Sequence, residues 1–146
     1  KQLTPRKRGE LAPQIKKFVQ AWGIGFASAE EIDMLGIVPA TRLAAGRALE
    51  MLDCFPDFLL TDFRLELPEL DLSQTAIVKG DQRSLSIAAA SILAKTARDE
   101  MMIELDSHYP EYGFSYHKGY GTFHHRSKIA VLGYSPIHRR SFKIKK

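Results

Sequence analysis

The feature that most narrows the possible folds is the run from about Leu85 to Ser107, which is strongly helical and carries Ala88, Ala89, Ala90, Ser91 and Ala94 near its start. A helix so narrow at one end can approach a sheet closely, so it is expected to pack against strands. Phe58–Thr61 reads as a short buried strand ending at Asp62, and Thr75–Val78 as another ending just before Gly80 and Asp81. Residues Ala21–Ala27 mix apolar residues with glycines as a further buried strand would.

Helices fill the intervals. Thr4-Pro5 is a helix start, with Leu11, Ile15 and Phe18 spaced for one apolar face. Ser28 and Glu31 form a capping box ahead of a short helix over Ala29–Leu35. A further helix is expected over about Ala40–Leu52. Gly113–Gly121 reads as a loop, after which Thr122 caps a helix running to about Leu132 and closed by Gly133. Strands alternating with helices indicate a layered α/β domain.

Composition sets outer limits. A chain of 146 residues, 45% hydrophobic and 26% charged, suits a single soluble domain or part of one. No apolar run approaches the roughly 18–20 residues of a membrane span. The basic N-terminus leads into amphipathic residues rather than the apolar stretch of a signal peptide. Cys54, the only cysteine, excludes an internal disulfide, fits the reducing cytoplasm, and is expected to be a core thiol.

The net charge of +4 is unevenly placed. Residues 1–111 hold 13 Lys and Arg against 17 Asp and Glu, whereas 112–146 hold eight Lys and Arg, no acid, and four of the five histidines. An acidic body with a basic end suits carboxylates facing a polyanion that the basic residues retain, although a basic tail alone is as readily a solvated one. The aromatic residues and glycines of this tail favour binding.

Two acids stand where chemistry is expected. Asp62 ends a strand, at the sheet edge where α/β proteins bind ligands, and its carboxylate suits Mg²⁺. Taken alone, it reads sooner as a solvated aspartate after a strand. Asp81 lies between a strand and the long helix, where an aspartate is often only a cap, and Gly80 before it allows a close backbone approach. His124 and His125 are adjacent on a helix, point in different directions and make a poor metal pair, so a surface or nucleic-acid-facing role is expected.

The surrounding sequence decides between these readings. Lys79–Asp99, KGDQRSLSIAAASILAKTARD, resembles the ribonuclease HII block in which K-G/A-D is followed by S/A-A-A-S-I-x-A-K and R-D. KQLTPRKR resembles the continuation of that family's D-S-K motif, AEEIDMLGI its V-E-E-I-D-x-x-N-I block, and FLLTDF the strand carrying its third acid. HKGYGT resembles H-K-G-Y-P-T, and IHRRSF the closing H-R-R-S-F. The resemblance spans nearly the whole chain.

It implies a ribonuclease H-like layered fold with a mixed central sheet flanked by helices and a C-terminal helical, basic extension, 112–146, that binds substrate. It implies an endoribonuclease acting on RNA–DNA hybrids and on single ribonucleotides embedded in DNA, through two Mg²⁺ or Mn²⁺ ions. Asp62 and Asp81 would be two of four metal-binding acids, since two dications need several negative oxygens. Tyr120 would pack on the sugar at the ribose–deoxyribose junction, on the face where no 2′-hydroxyl protrudes. Lys118, Gly119, Ser84, Lys95 and Arg98 would contact phosphate or support those that do, with salt bridges to Asp99 or Glu100 the alternative for Lys95 and Arg98. Arg139, Arg140 and the lysines beyond would attract phosphates irrespective of sequence.

The family's opening G-x-D-E-x-G-R-G strand, with its first two acids, has no counterpart in 1–146. As written, the chain is therefore expected to expose apolar surface and to catalyse weakly or not at all. Gly36 stands where the family has asparagine, and Gly121 where it has proline. A non-catalytic module that binds hybrids, and a ribonuclease HIII, are the alternatives; a monomer is expected.

Overall fold

In the computed structural model, residues 3–142 are described; Lys143, Lys145 and Lys146, expected to attract phosphate, lie outside them, as does Lys1 of the D-S-K resemblance. Six helices, two strands and two 3-10 turns run in chain order. Helix α1 covers Pro5–Phe18, α2 Ala29–Leu35 and α3 Ile37–Glu50; strands β1 (Leu59–Asp62) and β2 (Gln74–Ile77) follow. A 3-10 turn at Gly80–Gln82 leads into α4 (Leu85–His108), and a second at Pro110–Tyr112 into α5 (Phe114–His117) and α6 (Phe123–Leu132).

The helix ends follow from local chemistry. The hydroxyls of Thr4, Ser28, Ser84 and Thr122 each accept an amide hydrogen bond from the first turn of the helix they precede. At Ser28 the capping box is complete, and Glu31 also takes a two-pronged ion pair from Arg47 of α3 at 2.6 and 2.9 Å. That pair first, and the Ser28 amide next, hold the Glu31 carboxyl at about 2. Between α2 and α3, Gly36 has φ 82 and ψ 165, a conformation essentially confined to glycine. Its presence in place of the family's asparagine therefore meets a backbone need, and the helix after it starts at Ile37 rather than near Ala40.

The strands pair in parallel, Leu59 opposite Gln74 through Asp62 opposite Ile77. Parallel neighbours need a crossover, usually helical. Here residues 63–73 form it without a helix, tied down by the Gln74 amide, which exchanges hydrogen bonds with the Leu67 backbone at 2.8 and 3.0 Å. Thr61 adds a bond to the Leu65 carbonyl and Arg42 one to Glu66.

Three expectations are corrected. Residues 21–27 are not a strand: no strand among the described residues pairs with them. Their glycines serve instead for contact with α3, since a Cβ on Gly25 would stand 1.9 Å from the Ala44 carbonyl oxygen, and one on Gly23 2.1 Å from that of Ala48. The described sheet is purely parallel rather than mixed, because the two strands are all it holds. Nor is β1 buried throughout; only Thr61 is, while Leu60 is half-exposed, because a two-stranded sheet packed on α4 leaves much of its surface open.

Helix α4 organises the rest. Helix α1 packs along it, fastened by Arg8 to Asp99 at 2.6 Å with both side chains largely buried. Beyond its midpoint lies the aromatic core, where Met102, Tyr112 and Phe114 are buried among Met101, Leu105, Tyr109, Ile129 and Ile137. Tyr112 stacks on Phe114 at 5.4 Å, and Tyr109 meets Phe114 edge-on at 6.4 Å. Cys54, expected in the core, is exposed in the irregular stretch between α3 and β1.

Two alanine substitutions separate close approach from helix propensity. Gly25→Ala should destabilise the fold by about 1–3 kcal/mol, since the new methyl overlaps backbone that cannot withdraw. Gly46→Ala, inside α3 with nothing within 4 Å of its Cβ, should stabilise by about 0.5–1 kcal/mol. Urea denaturation of both variants checks the opposite signs.

Candidate functional site

Asp62 is the last residue of β1, exposed at the strand's C-terminal end. Its Oδ1 accepts the Gly80 amide at 2.8 Å and the Phe63 amide at 2.9 Å, leaving Oδ2 for a ligand. The closeness depends on Gly80: a Cβ there would lie 2.6 Å from Ile87 Cδ1 and 3.3 Å from that same oxygen. Asp81 follows at once in the 3-10 turn, half-buried and without a hydrogen-bond partner among the described residues. The fold thus brings together the two acids the sequence singled out, at the mouth of α4. No third His, Cys, Asp or Glu completes a metal-binding group with them among the described residues.

Further along α4, a second group assembles. Arg98 lies roughly 20 Å along the helix axis from Leu85, by the helical rise, before side chains shorten the gap. Its guanidinium sits 4.7 Å over the Tyr120 ring, an arrangement that holds the exposed tyrosine flat against the protein by one face. Gly119 packs on Met102 and Arg98, and Lys118 donates through Nζ to the Ser115 carbonyl. Phe63, Lys79 and Lys118 are the non-glycine residues with positive φ among the described residues, at 58, 55 and 49 degrees. Each adjoins one of the segments just named, and each costs of order 1–2 kcal/mol of backbone strain.

Other candidates also make contacts within the fold. Ser84 caps α4, and Lys95 donates to Ser91 Oγ one turn earlier at 2.6 Å. The salt bridges considered for Lys95 and Arg98 do not form, because Asp99 is taken by Arg8 and Arg98 by Tyr120. Arg139 lies 4.0 Å over Phe142, while Arg140 is placed through its backbone: its amide and that of Ser141 donate to Asp33 of α2 at 2.7 and 2.9 Å. These bonds, the Ser141 hydroxyl foremost, lower the Asp33 carboxyl below its ordinary value. An open cavity of about 800 Å³ has Arg98, Gly119, Arg126, Arg139, Ser28 and Glu30 among its lining residues.

Sequence reasoning missed the support behind Tyr120. His125, expected at the surface, is buried, bonds the Tyr120 carbonyl through Nδ1 at 3.0 Å, and stacks on His117 at 4.1 Å. Its Nε2 meets His138 Nε2 at 2.9 Å. The hint lay in four histidines gathered in one basic segment. Asp106 of α4 steadies the same region: the Ser115 hydroxyl first, then the Ser115 and Phe114 amides, lower its carboxyl against the effect of burial.

Burial first, then neighbouring imidazoles, holds both His125 and His138 below the ordinary histidine value of 6.5, against the opposing effect of the Tyr120 carbonyl and Ser135. The folded state thus binds fewer protons here than the unfolded chain. Stability from these groups is complete above 6.5 and declines as pH falls through that value toward the lower folded-state ones. The urea midpoint should drop between about pH 7 and pH 5.5, with roughly one to two protons taken up on unfolding.

A model of the family described as Ribonuclease HII matches residues 1–145. A ribonuclease HII of Dehalococcoides mccartyi is 51% identical over 142 residues, covering 97% of this chain and 67% of that protein. One of Desulfitobacterium hafniense is 54% identical over 142 residues, with 97% and 54% covered. The chain thus spans between about half and two thirds of these relatives' length. The crystal structure of the ribonuclease H2 from Pyrococcus horikoshii superposes with a TM-score of 0.78 at 23% identity, over 98% of this chain and 75% of that one, which bears out the layered α/β fold. By sequence match along nearly its full length, the chain belongs to the ribonuclease HII family.

Proposed function

We propose that this chain carries part of the active site and the junction-reading surface of an endoribonuclease that cleaves the RNA strand of RNA–DNA hybrids and single ribonucleotides embedded in duplex DNA. The observation that carries the reading is the Asp62 carboxylate, oriented by the Gly80 amide beside Asp81. Carboxylate oxygens are the donors that Mg²⁺ and Mn²⁺ prefer, and Asp62 Oδ2 and the Asp81 carboxylate are the groups that would hold them. A dication bound there supplies a water of lowered pKa and stabilises charge on the leaving oxygen. Two carboxylates suffice for one such ion; a pair of ions would require further acids beyond these two.

The protein's own part is to hold and orient the strand. Tyr120 offers a flat face to a sugar without a 2′-hydroxyl, and Arg98 keeps it flat. The basic residues at the cavity, together with Lys118 and Arg140, draw in the phosphate backbone. Placed along one helix, carboxylates and aromatic suit a long polymer that touches both. The reading carries with it a monomer working in the cytoplasm. A non-catalytic hybrid-binding module is a second reading, which the lack of a third metal-binding side chain beside Asp62 and Asp81 among the described residues favours.

Asp62→Asn retains an oxygen to accept the Gly80 amide, so its melting temperature should stay close to that of the unchanged protein. Mn²⁺ binding by calorimetry, and Mn²⁺-dependent cleavage of a duplex containing one ribonucleotide, should be lost. Cleavage that survives Asp62→Asn rules out the assignment, and binding without any cleavage by the unchanged chain favours the second reading. Arg140→Ala should weaken duplex binding alike for all sequences and reduce the slope of log K against log salt by about 1, measured by anisotropy across a salt series.

A further inference from the structure

The histidines behind Tyr120 form a hydrogen-bonded line with a fixed sense. At one end the Ser135 amide, which can only donate, points at His138 Nδ1 at 3.0 Å, with the Ser135 hydroxyl also on that nitrogen at 2.7 Å. At the other end the Tyr120 carbonyl, which can only accept, faces His125 Nδ1 at 3.0 Å. Between them the two Nε2 atoms stand 2.9 Å apart. One neutral arrangement satisfies every link: His138 carries its proton on Nε2 and donates it to His125 Nε2, and His125 carries its own on Nδ1. A proton added to either ring sets two N–H groups face to face, at the Nε2 pair or at Ser135.

The line ends on the backbone that presents the tyrosine. The Tyr120 amide donates to the His117 carbonyl at 2.8 Å, and its carbonyl accepts from the Thr122 amide at 2.7 Å as well as from His125. His117 completes the frame, bonding the Tyr112 carbonyl through Nε2 at 3.0 Å and accepting the Gly119 amide on Nδ1 at 3.2 Å. We infer that His125 and His138 are positioning residues for Tyr120, acting only as a neutral pair, so that discrimination between a ribonucleotide-containing duplex and plain DNA is lost on acidification while general attraction for the duplex is kept. This rests on the reading of Tyr120 given above.

The groups around the pair enforce neutrality. His117 of α5 stacks on His125, and His124 of α6, 5.8 Å from His117, acts on it electrostatically in the same sense; Tyr134 meets His138 edge-on at 5.7 Å. Arg98 of α4, Arg126 of α6 and Arg139 share the cavity with both imidazoles, and Glu30 of α2 is the acid on its wall. Asp106 of α4 lies toward His117, its carboxyl held below the ordinary value by Ser115 foremost. Positive neighbours outnumber negative ones, and both rings are held below the ordinary histidine value.

The test uses the full chain with a duplex DNA carrying one ribonucleotide and the same duplex without it, measured by anisotropy at about pH 8 and about pH 5.5, on either side of the histidine range. The ratio of the two affinities should fall about tenfold on acidification, the effect of losing one well-made hydrogen bond. His125→Asn keeps a donor at the Nδ1 position and cannot titrate, so its ratio should hold within about twofold across the same range. His125→Phe should lose the ratio at both pH values. Independently of nucleic acid, ¹⁵N NMR near pH 8 should show His125 protonated on Nδ1. A proton on Nε2 instead, or His125→Asn following the unchanged protein's pH profile, overturns the inference. Tyr120→Ala tells the two readings apart: if it leaves the ratio unchanged, the role of Tyr120 itself fails; if it abolishes the ratio while His125→Phe does not, the positioning role fails.

Discussion

Everything else in this structure depends on the close approach of α4 to the turn at Gly80. With Ile87 buried in its first turn, the helix sits against β1 and against the 3-10 turn that delivers Asp81. Ile87 pushes into the space that Gly80 leaves, where any side chain would collide. Gly80 in turn brings its amide to Asp62. A bulkier residue at any of these points would separate the two carboxylates before it harmed the helix. Further along, the same helix buries the larger Leu93 and Met102.

Helix ends were legible in the sequence because their chemistry is local. A hydroxyl three residues from an amide is enough, and Thr4, Ser28, Thr122 and Gly133 fall where the spacing set them. Strands are different, since a strand is defined by its neighbour. Residues 21–27 have the composition of one and lie against α3 without regular structure, and nothing among the described residues pairs with them. Short elements inside a glycine-rich stretch escaped for a related reason: α5, a single turn over Phe114–His117, owes its place to the buried Phe114 and to Asp106 rather than to any pattern of its own.

The site was legible where one segment carries it and obscure where distant segments meet. Asp62 and Asp81 could be placed from the strands they follow. That Asp33 would gather the amides of Arg140 and Ser141, 107 and 108 residues away, could not, although both lie in blocks with recognisable family wording. The same holds for Arg98 on Tyr120 and for His125 on His138. Motifs name the residues; only packing states which of them share a hydrogen bond.

The basic end of the chain raises a question of electrostatics that the histidines answer. Eight Lys and Arg with no acid within residues 112–146 repel one another, and charged imidazoles at His125 and His138 would sharpen that repulsion beside the aromatic core. On the inference above, His125 and His138, bonded as a neutral donor and acceptor, supply polar connections there without charge. Attraction for a polyanion is then left to arginine and lysine, whose charge does not vary near neutrality, and the shape of the Tyr120 turn to histidine, whose charge would. Strength of binding and fidelity of reading are thereby assigned to different chemical groups: the first answers to salt, the second to pH.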